Sequence, residues 1–237
     1  MKFVISRMWA FILVNALLFI FFPLYGIAAS IPQELLDKAN LGDADAQNSI
    51  GSMYIQGDKV KKDYKQAFIW YEKAAEQGHA EAQLIIGWMS ANGKGTIQDF
   101  QKAFEWYSKA AEQGDFRAQF NIGIMYNDGQ GVLQDYKQAL VWYKKAAEQG
   151  SPRAHYYIGV MYENGHGVAQ NDKQAFEWYK KAAELDHSHS QYVVGVMYEN
   201  GLGVDKDSTL AKDWYKKAVS QGSKEAEAAL NKMHRIP

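Results

Sequence analysis

The 237-residue chain contains no cysteine. That absence excludes disulfide bridges, thiol nucleophiles, thiolate metal sites and the lipid-bearing cysteine of a bacterial lipoprotein. An excess of one charge is lacking too: 26 lysines and arginines stand against 27 aspartates and glutamates, a formal net charge of -1. The basic residues are spread evenly, so nucleic acid is not an expected partner. There is no Gly-x-Ser-x-Gly elbow, Ser-x-x-Lys pair or His-Glu-x-x-His zinc helix. The chain therefore does not read as an enzyme, and no catalytic residue, cofactor or metal is expected. Turns such as Gly165-His166-Gly167 follow helices and lack the strand, third glycine or lysine of a phosphate loop. His187 and His189, with Asp186, have no third ligand at helical spacing and read as a solvated turn.

Long apolar runs are confined to the N-terminus. Lys2 and Arg7 precede an apolar stretch from Met8 to Phe22, then Pro23 and the small residues Gly26, Ala28, Ala29 and Ser30. This is the layout of a secretory signal over residues 1–29, cut after Ala28, Ala29 or Ser30. The rival reading is an uncleaved anchor, because Met8 to Tyr25 approaches the roughly 18 to 20 apolar residues that span a bilayer. A periplasmic or secreted destination is expected, with membrane contact only through that segment if it is retained.

Beyond it the chain repeats. Tryptophan recurs at Trp70, Trp106, Trp142, Trp178 and Trp214, and glycine at Gly51, Gly87, Gly123, Gly159 and Gly195, always 36 residues apart. Ala67 and Met53 head columns with the same step, and the Gly42 column is broken only by Asp186. Five uninterrupted units follow, taken as 42–77, 78–113, 114–149, 150–185 and 186–221, after a short N-terminal helix over 30–41. Residues 222–237 match the start of another first helix but carry Lys224, Glu225, Glu227 and Lys232, a polar cap that stops the array.

Each unit predicts two helices. Asp43, Asp115 and Ser151 are placed to cap the first helix, which ends at Gly57, Gly93, Gly129, Gly165 or Gly201. Asp63, Asp99, Asp135, Asn171 and Asp207 open the second, with Gln66, Gln138 and Gln174 completing capping boxes. The Gly51 column falls inside the first helix, where glycine costs about 1 kcal/mol relative to alanine. Close approach of a neighbouring helix, faced by Ala67 and Ala74, is the expected reason.

Three motifs carry a family resemblance: AQFNIGIMY at Ala118–Tyr126, the Asn-Gly-x-Gly-Val turn, and the Trp-Tyr-x-Lys-Ala-Ala-Glu-Gln-Gly run. They resemble the Sel-like repeat, a subclass of the tetratricopeptide-like repeats, over about residues 31–233. The resemblance implies an all-α, right-handed α/α solenoid of five 36-residue two-helix repeats with a polar C-terminal capping helix. It also implies an adaptor in multiprotein complexes, often exported in bacteria and sometimes directed at the envelope or at host cells. A cysteine-rich branch of the family has been linked to penicillin binding; with no cysteine here, that chemistry does not carry over.

Aligned with the tetratricopeptide pattern, columns 45, 48, 52 and 55 fall on the concave face, and their spacing independently makes them one helix face. The variable residues there are Glu81, Leu84, Trp88, Arg117, Phe120, Asn127, Arg153, Tyr156, Glu163, His189, Tyr192 and Glu199. Aromatics and arginine dominate interface hot spots, so these are the expected contacts for a protein partner, bound by a monomer. Packing against the next unit is expected to claim column 52 sooner than column 48. The alternative is a cell-wall enzyme or a binder of peptidoglycan fragments or β-lactams, with Glu163 and Glu199 as a carboxylate pair.

Overall fold

A computed structural model describes residues 30–235. The expected export signal lies outside the described residues. Twelve helices run in chain order among those described: α1 Gln33–Asn40, α2 Ala44–Gln56, α3 Tyr64–Glu76, α4 Ala80–Asn92, α5 Phe100–Glu112, α6 Phe116–Asp128, α7 Tyr136–Glu148, α8 Pro152–Asn164, α9 Asp172–Glu184, α10 Ser188–Asn200, α11 Ser208–Ser220 and α12 Lys224–Arg235. Each helix packs on the next, so contacts stay local and the chain is an all-α repeat solenoid. Among the described residues no helix is long and apolar enough to cross a membrane.

The caps explain why the helices begin where they do. Asp43 Oδ1 accepts from the Ala46 amide at 2.8 Å, and Asp115 and Ser151 act likewise on α6 and α8. The two units without such a residue use histidine instead: the Ala82 amide donates to His79 Nδ1 at 3.2 Å and the Ser190 amide to His187 Nδ1 at 3.3 Å. Asp63, Asp99, Asp135, Asn171 and Asp207 cap the second helices as expected. The reciprocal half of the capping box does not form. The cap amides of Asp63, Asp135 and Asn171 donate to the Tyr54, Tyr126 and Tyr162 carbonyls instead, which ties each second helix to the end of the first.

The interior glycines make room for a ring, which corrects the expectation of small facing alanines. A Cβ on Gly123 would lie 2.5 Å from Tyr143 Cδ1, and the other four glycines of the column, Gly51, Gly87, Gly159 and Gly195, repeat the overlap with Tyr71, Tyr107, Tyr179 and Tyr215. The tyrosine of each Trp-Tyr pair thus lies flat on the first helix of its own unit. Its tryptophan bridges to the preceding unit: Trp106 closes a cluster with Ala67, Phe68 and Tyr71 of that unit and Ala82 and Ile86 of its own. A lysine three residues later covers each tryptophan, with Nζ 3.9 to 4.5 Å from the ring centroid, so the Trp-Tyr-x-Lys spacing builds its own lid.

A buried amide chain joins the units. Gln77 Nε2 donates to Gln47 Oε1 at 2.7 Å, while Gln47 Nε2 donates to the Ala39 carbonyl at 2.9 Å. The pattern recurs at Gln113–Gln83, Gln149–Gln119 and Gln221–Gln191. Each bond contributes about 1 kcal/mol, and breaking one strands a buried polar group. The fourth unit departs at both ends together: His155 takes the acceptor position and Leu185 the donor position, and the His155 ring donates to the Ser151 carbonyl instead.

Candidate functional site

The first helices α4, α6 and α8 together enclose a pocket of about 370 Å³. Its apolar lining is Leu84, Ile85, Trp88, Phe116 and Phe120, and its polar lining is Arg117, Asn121, Ser151 and Arg153. Trp88 and Phe116 are each 39% exposed, an unusual position for large rings unless something covers them. Phe120 forms the floor, 4% exposed, with its ring against Tyr143 and Tyr157.

Electrostatics separate the two arginines. Arg117 Nη2 donates to Asp115 Oδ2 at 2.7 Å, and that carboxylate also caps α6. Burial raises the Asp115 carboxyl, but the hydrogen bond and charge of Arg117 and the backbone amides of Ala118 and Arg117 together outweigh it and hold the group below its ordinary value. Glu81 adds a second negative charge facing Arg117. Arg153 lies with its guanidinium carbon 4.6 Å from the Phe120 centroid, and among the described residues no carboxylate pairs with it.

Toward α10 the same surface continues as an aromatic and histidine cluster. The Tyr156 ring sits 5.2 Å from His187 and 5.3 Å from His189, and His189 lies 6.2 Å from Tyr192. Burial, with His189 and Arg153 nearby, pushes the His187 pKa below its ordinary value.

Of the twelve residues expected to meet a partner, the pocket brings together Leu84, Trp88, Arg117, Phe120 and Arg153. Tyr156, His189 and Tyr192 form the neighbouring cluster, and Glu81 stands beside Arg117. Asn127 lies apart, its Nδ2 donating to Asp128 Oδ1 at 2.7 Å. The burial order of the columns is the reverse of that expected. Leu84 and Phe120 of column 48 are buried, whereas Trp88 of column 52 is exposed and its equivalents are half-buried. Column 48 is nearer the next unit's first turn, so neighbours cover it.

Glu163 and Glu199 are not a free carboxylate pair. Tyr179 Oη donates to Glu163 at 2.5 Å and Tyr215 Oη to Glu199 at 2.6 Å, so each serves its own unit. Burial and the adjacent carboxylate push both phenols well above their ordinary range. The cell-wall alternative thereby loses its free carboxylate pair.

Phe116, Ile85 and Asn121 were missed from sequence. Column 44 reads Ala44, Ala80, Phe116, Pro152 and Ser188, so a lone phenylalanine among small residues was the available signal.

A stack of two-helix units with a fixed framework and one variable face defines a helical repeat scaffold. The Sel1 repeat family matches residues 44–79, 80–115, 116–151, 152–187 and 188–223, and the chain belongs to that family. The family's register starts two residues after the unit boundaries used above, at the first helix itself. Two solved structures are similar in sequence as well as fold. A protective antigen present in uropathogenic Escherichia coli strains, displaying this repeat fold, is 37% identical with TM-score 0.80 over 83% of this chain. The chain spans 42% of that antigen's length. A Sel1 repeat protein from Oxalobacter formigenes is 35% identical with TM-score 0.74, covering 82% of this chain and 86% of the other. An immunity protein from Pseudomonas aeruginosa, 23% identical with TM-score 0.50 over 77% of this chain and 67% of its own, shares the fold. No curated protein sequence matches the chain.

Proposed function

We propose that this chain is an exported, non-catalytic adaptor that acts as a monomer and holds a partner protein on the concave face built by the first helices of units two to five. Sel1 repeat proteins generally mediate protein–protein interaction. The observation that carries the reading is the contrast between framework and face. Glycine, tyrosine and tryptophan columns repeat without change, while the surface of the first helices gathers Trp88, Phe116, Arg153, Tyr156 and His189, which vary from unit to unit. Rigid aromatic and guanidinium groups lose little entropy on binding and commonly anchor interfaces. The signal-like residues 1–29 support a periplasmic or secreted location, and the polar last helix supports a closed, monomeric array.

The test is affinity capture from envelope and culture-medium fractions with the exported chain, beside a variant carrying Arg117→Ala, Arg153→Ala and Tyr156→Ala. Loss of the co-purifying protein from the variant supports the reading. Equal recovery by both proteins refutes the concave site.

A further inference from the structure

We propose that the pocket between α4, α6 and α8 receives a bulky apolar side chain of a partner segment whose adjoining residues are acidic, with Arg153 as the cation that meets them. The proposal rests on the concave-face reading and adds the chemistry of the occupant.

The apolar half of the argument is Trp88. All five framework tryptophans lie under a lysine three residues on. Trp88 has Ala91 at that spacing, and among the described residues no cation covers its ring. Phe116 faces the same space from the first turn of α6, where the other units carry alanine, proline or serine. Unit-specific substitutions on two helices therefore combine to open a cavity of about 370 Å³ that the repeat pattern does not require. That volume sits at the lower end of the range of roughly 300–1,000 Å³ typical of ligand pockets, enough for one large side chain but not for a folded element.

The charged half is the imbalance around Arg153. Arg117, its fellow at the pocket, is already neutralised by Asp115 and faces Glu81. Arg153 has no such partner, and His187 lies close enough to feel its charge. Glu163 and Glu199 keep their charge but accept from Tyr179 and Tyr215 and do not line the pocket. The charged side chains that line the pocket are Arg117 and Arg153, and only Arg117 has a carboxylate partner, so the uncompensated charge at the α8 side is positive and complementarity selects a segment with acidic residues beside its anchor.

The experiment measures fluorescence anisotropy of short labelled peptides against the exported full chain. The peptides are a tryptophan flanked by aspartates and glutamates, the same anchor flanked by lysines, and the acidic peptide with alanine at the anchor. The acidic tryptophan peptide is expected to bind at least about tenfold tighter than either other, and more weakly as salt rises. Trp88→Ala should weaken it by about tenfold or more, and Arg153→Glu should invert the acidic-to-basic preference. Both side chains are exposed, and circular dichroism verifies that the helices persist. A lysine peptide preferred by the native chain, with binding still lost in Trp88→Ala, overturns the acidic chemistry while leaving the concave face standing. Acidic binding indifferent to both substitutions overturns the pocket and the concave reading together. Absence of binding by all three peptides also overturns the proposal, as does sedimentation showing self-association that Trp88→Ala abolishes.

Discussion

Separate replacements of Tyr143 and Tyr179 by phenylalanine are expected to shift stability in opposite directions, although the two residues occupy the same place in successive units. Their rings are 0% and 1% exposed and lie on Gly123 and Gly159 in the same way. The hydroxyls differ. Tyr179 Oη donates to the Glu163 carboxylate at 2.5 Å, and hydrogen bonds to charged groups contribute about 1.5–3 kcal/mol. Glu163 is exposed and regains water when its partner is lost, which puts Tyr179→Phe near the lower end, a loss of about 1.5 kcal/mol. Tyr143 Oη is buried without a partner, because Asn127, at the position where Glu163 stands one unit later, turns its amide to Asp128. An unsatisfied buried polar group costs about 1–3 kcal/mol, so Tyr143→Phe should stabilise by about 1 kcal/mol. Urea unfolding followed by circular dichroism measures both, and for a chain of this size 1 kcal/mol also moves Tm by about 2–4 °C. Asn127→Glu supplies the missing acceptor, and in that background Tyr143→Phe should become destabilising, a coupling that a double-mutant cycle isolates. Tyr143→Phe losing as much stability as Tyr179→Phe in the native background would refute the reasoning.

Three further outcomes follow from the same packing. Gly123→Ala gains about 1 kcal/mol in helix propensity but sets a Cβ against a fully buried ring, an overpacking that costs about 1–3 kcal/mol, so a lower Tm is expected and a higher one refutes the glycine–tyrosine contact. His187 caps α10 through a neutral Nδ1 and has its folded pKa depressed below 6.5 by burial, with His189 and Arg153 adding to the effect. The associated stability is complete above the unfolded pKa and is lost as pH falls through the folded one, so His187→Ser, which keeps a cap acceptor, should flatten the acid limb of a stability–pH profile. Burial raises Tyr71 to about 12 and pushes Tyr107, Tyr143, Tyr179 and Tyr215 higher still. Each favours the folded state fully below an unfolded pKa of about 10 and progressively less above it, so tyrosinate absorbance should rise together with cooperative unfolding in alkali.

The array was legible because its determinants are local and repeated. A cap, a left-handed glycine stop and an apolar stripe each lie within one helix, and the fixed 36-residue step shows that the same solution is used five times. What escaped the reading involves pairs from different helices. Gln47 and Gln77 are unremarkable singly, since nothing in either sequence position reports that one amide accepts from the other. The partner of Gly51 was misassigned for a related reason. Spacing along the second helix puts Ala67, Trp70, Tyr71 and Ala74 on one side, but which of them meets the glycine depends on how the two helices cross. His79 and His187 as caps were invisible because histidine ranks low among capping residues, and only the geometry of Nδ1 reveals the role.

The same distinction bears on where specificity can reside in such a scaffold. A column that repeats in all five units answers a demand made by every unit, namely packing, and so carries no information about a particular partner. A departure that is answered by a second departure nearby and leaves the core intact has a different standing. His155 with Leu185 meets the first condition, yet both changes serve the interior: the histidine finds the Ser151 carbonyl and the pair simply replaces an amide link. Trp88 with Phe116 differs in that the departures face outward, leave two large rings 39% exposed and adjoin a guanidinium without a carboxylate. Exposure of that kind is unfavourable in the free protein, since burying an aromatic side chain is worth on the order of 1.5–3 kcal/mol. Folding alone gives no reason to retain it, and occupation by a partner does. The binding site is therefore best sought among the residues that the repeat does not explain, and the pocket at α4, α6 and α8 is where such residues meet.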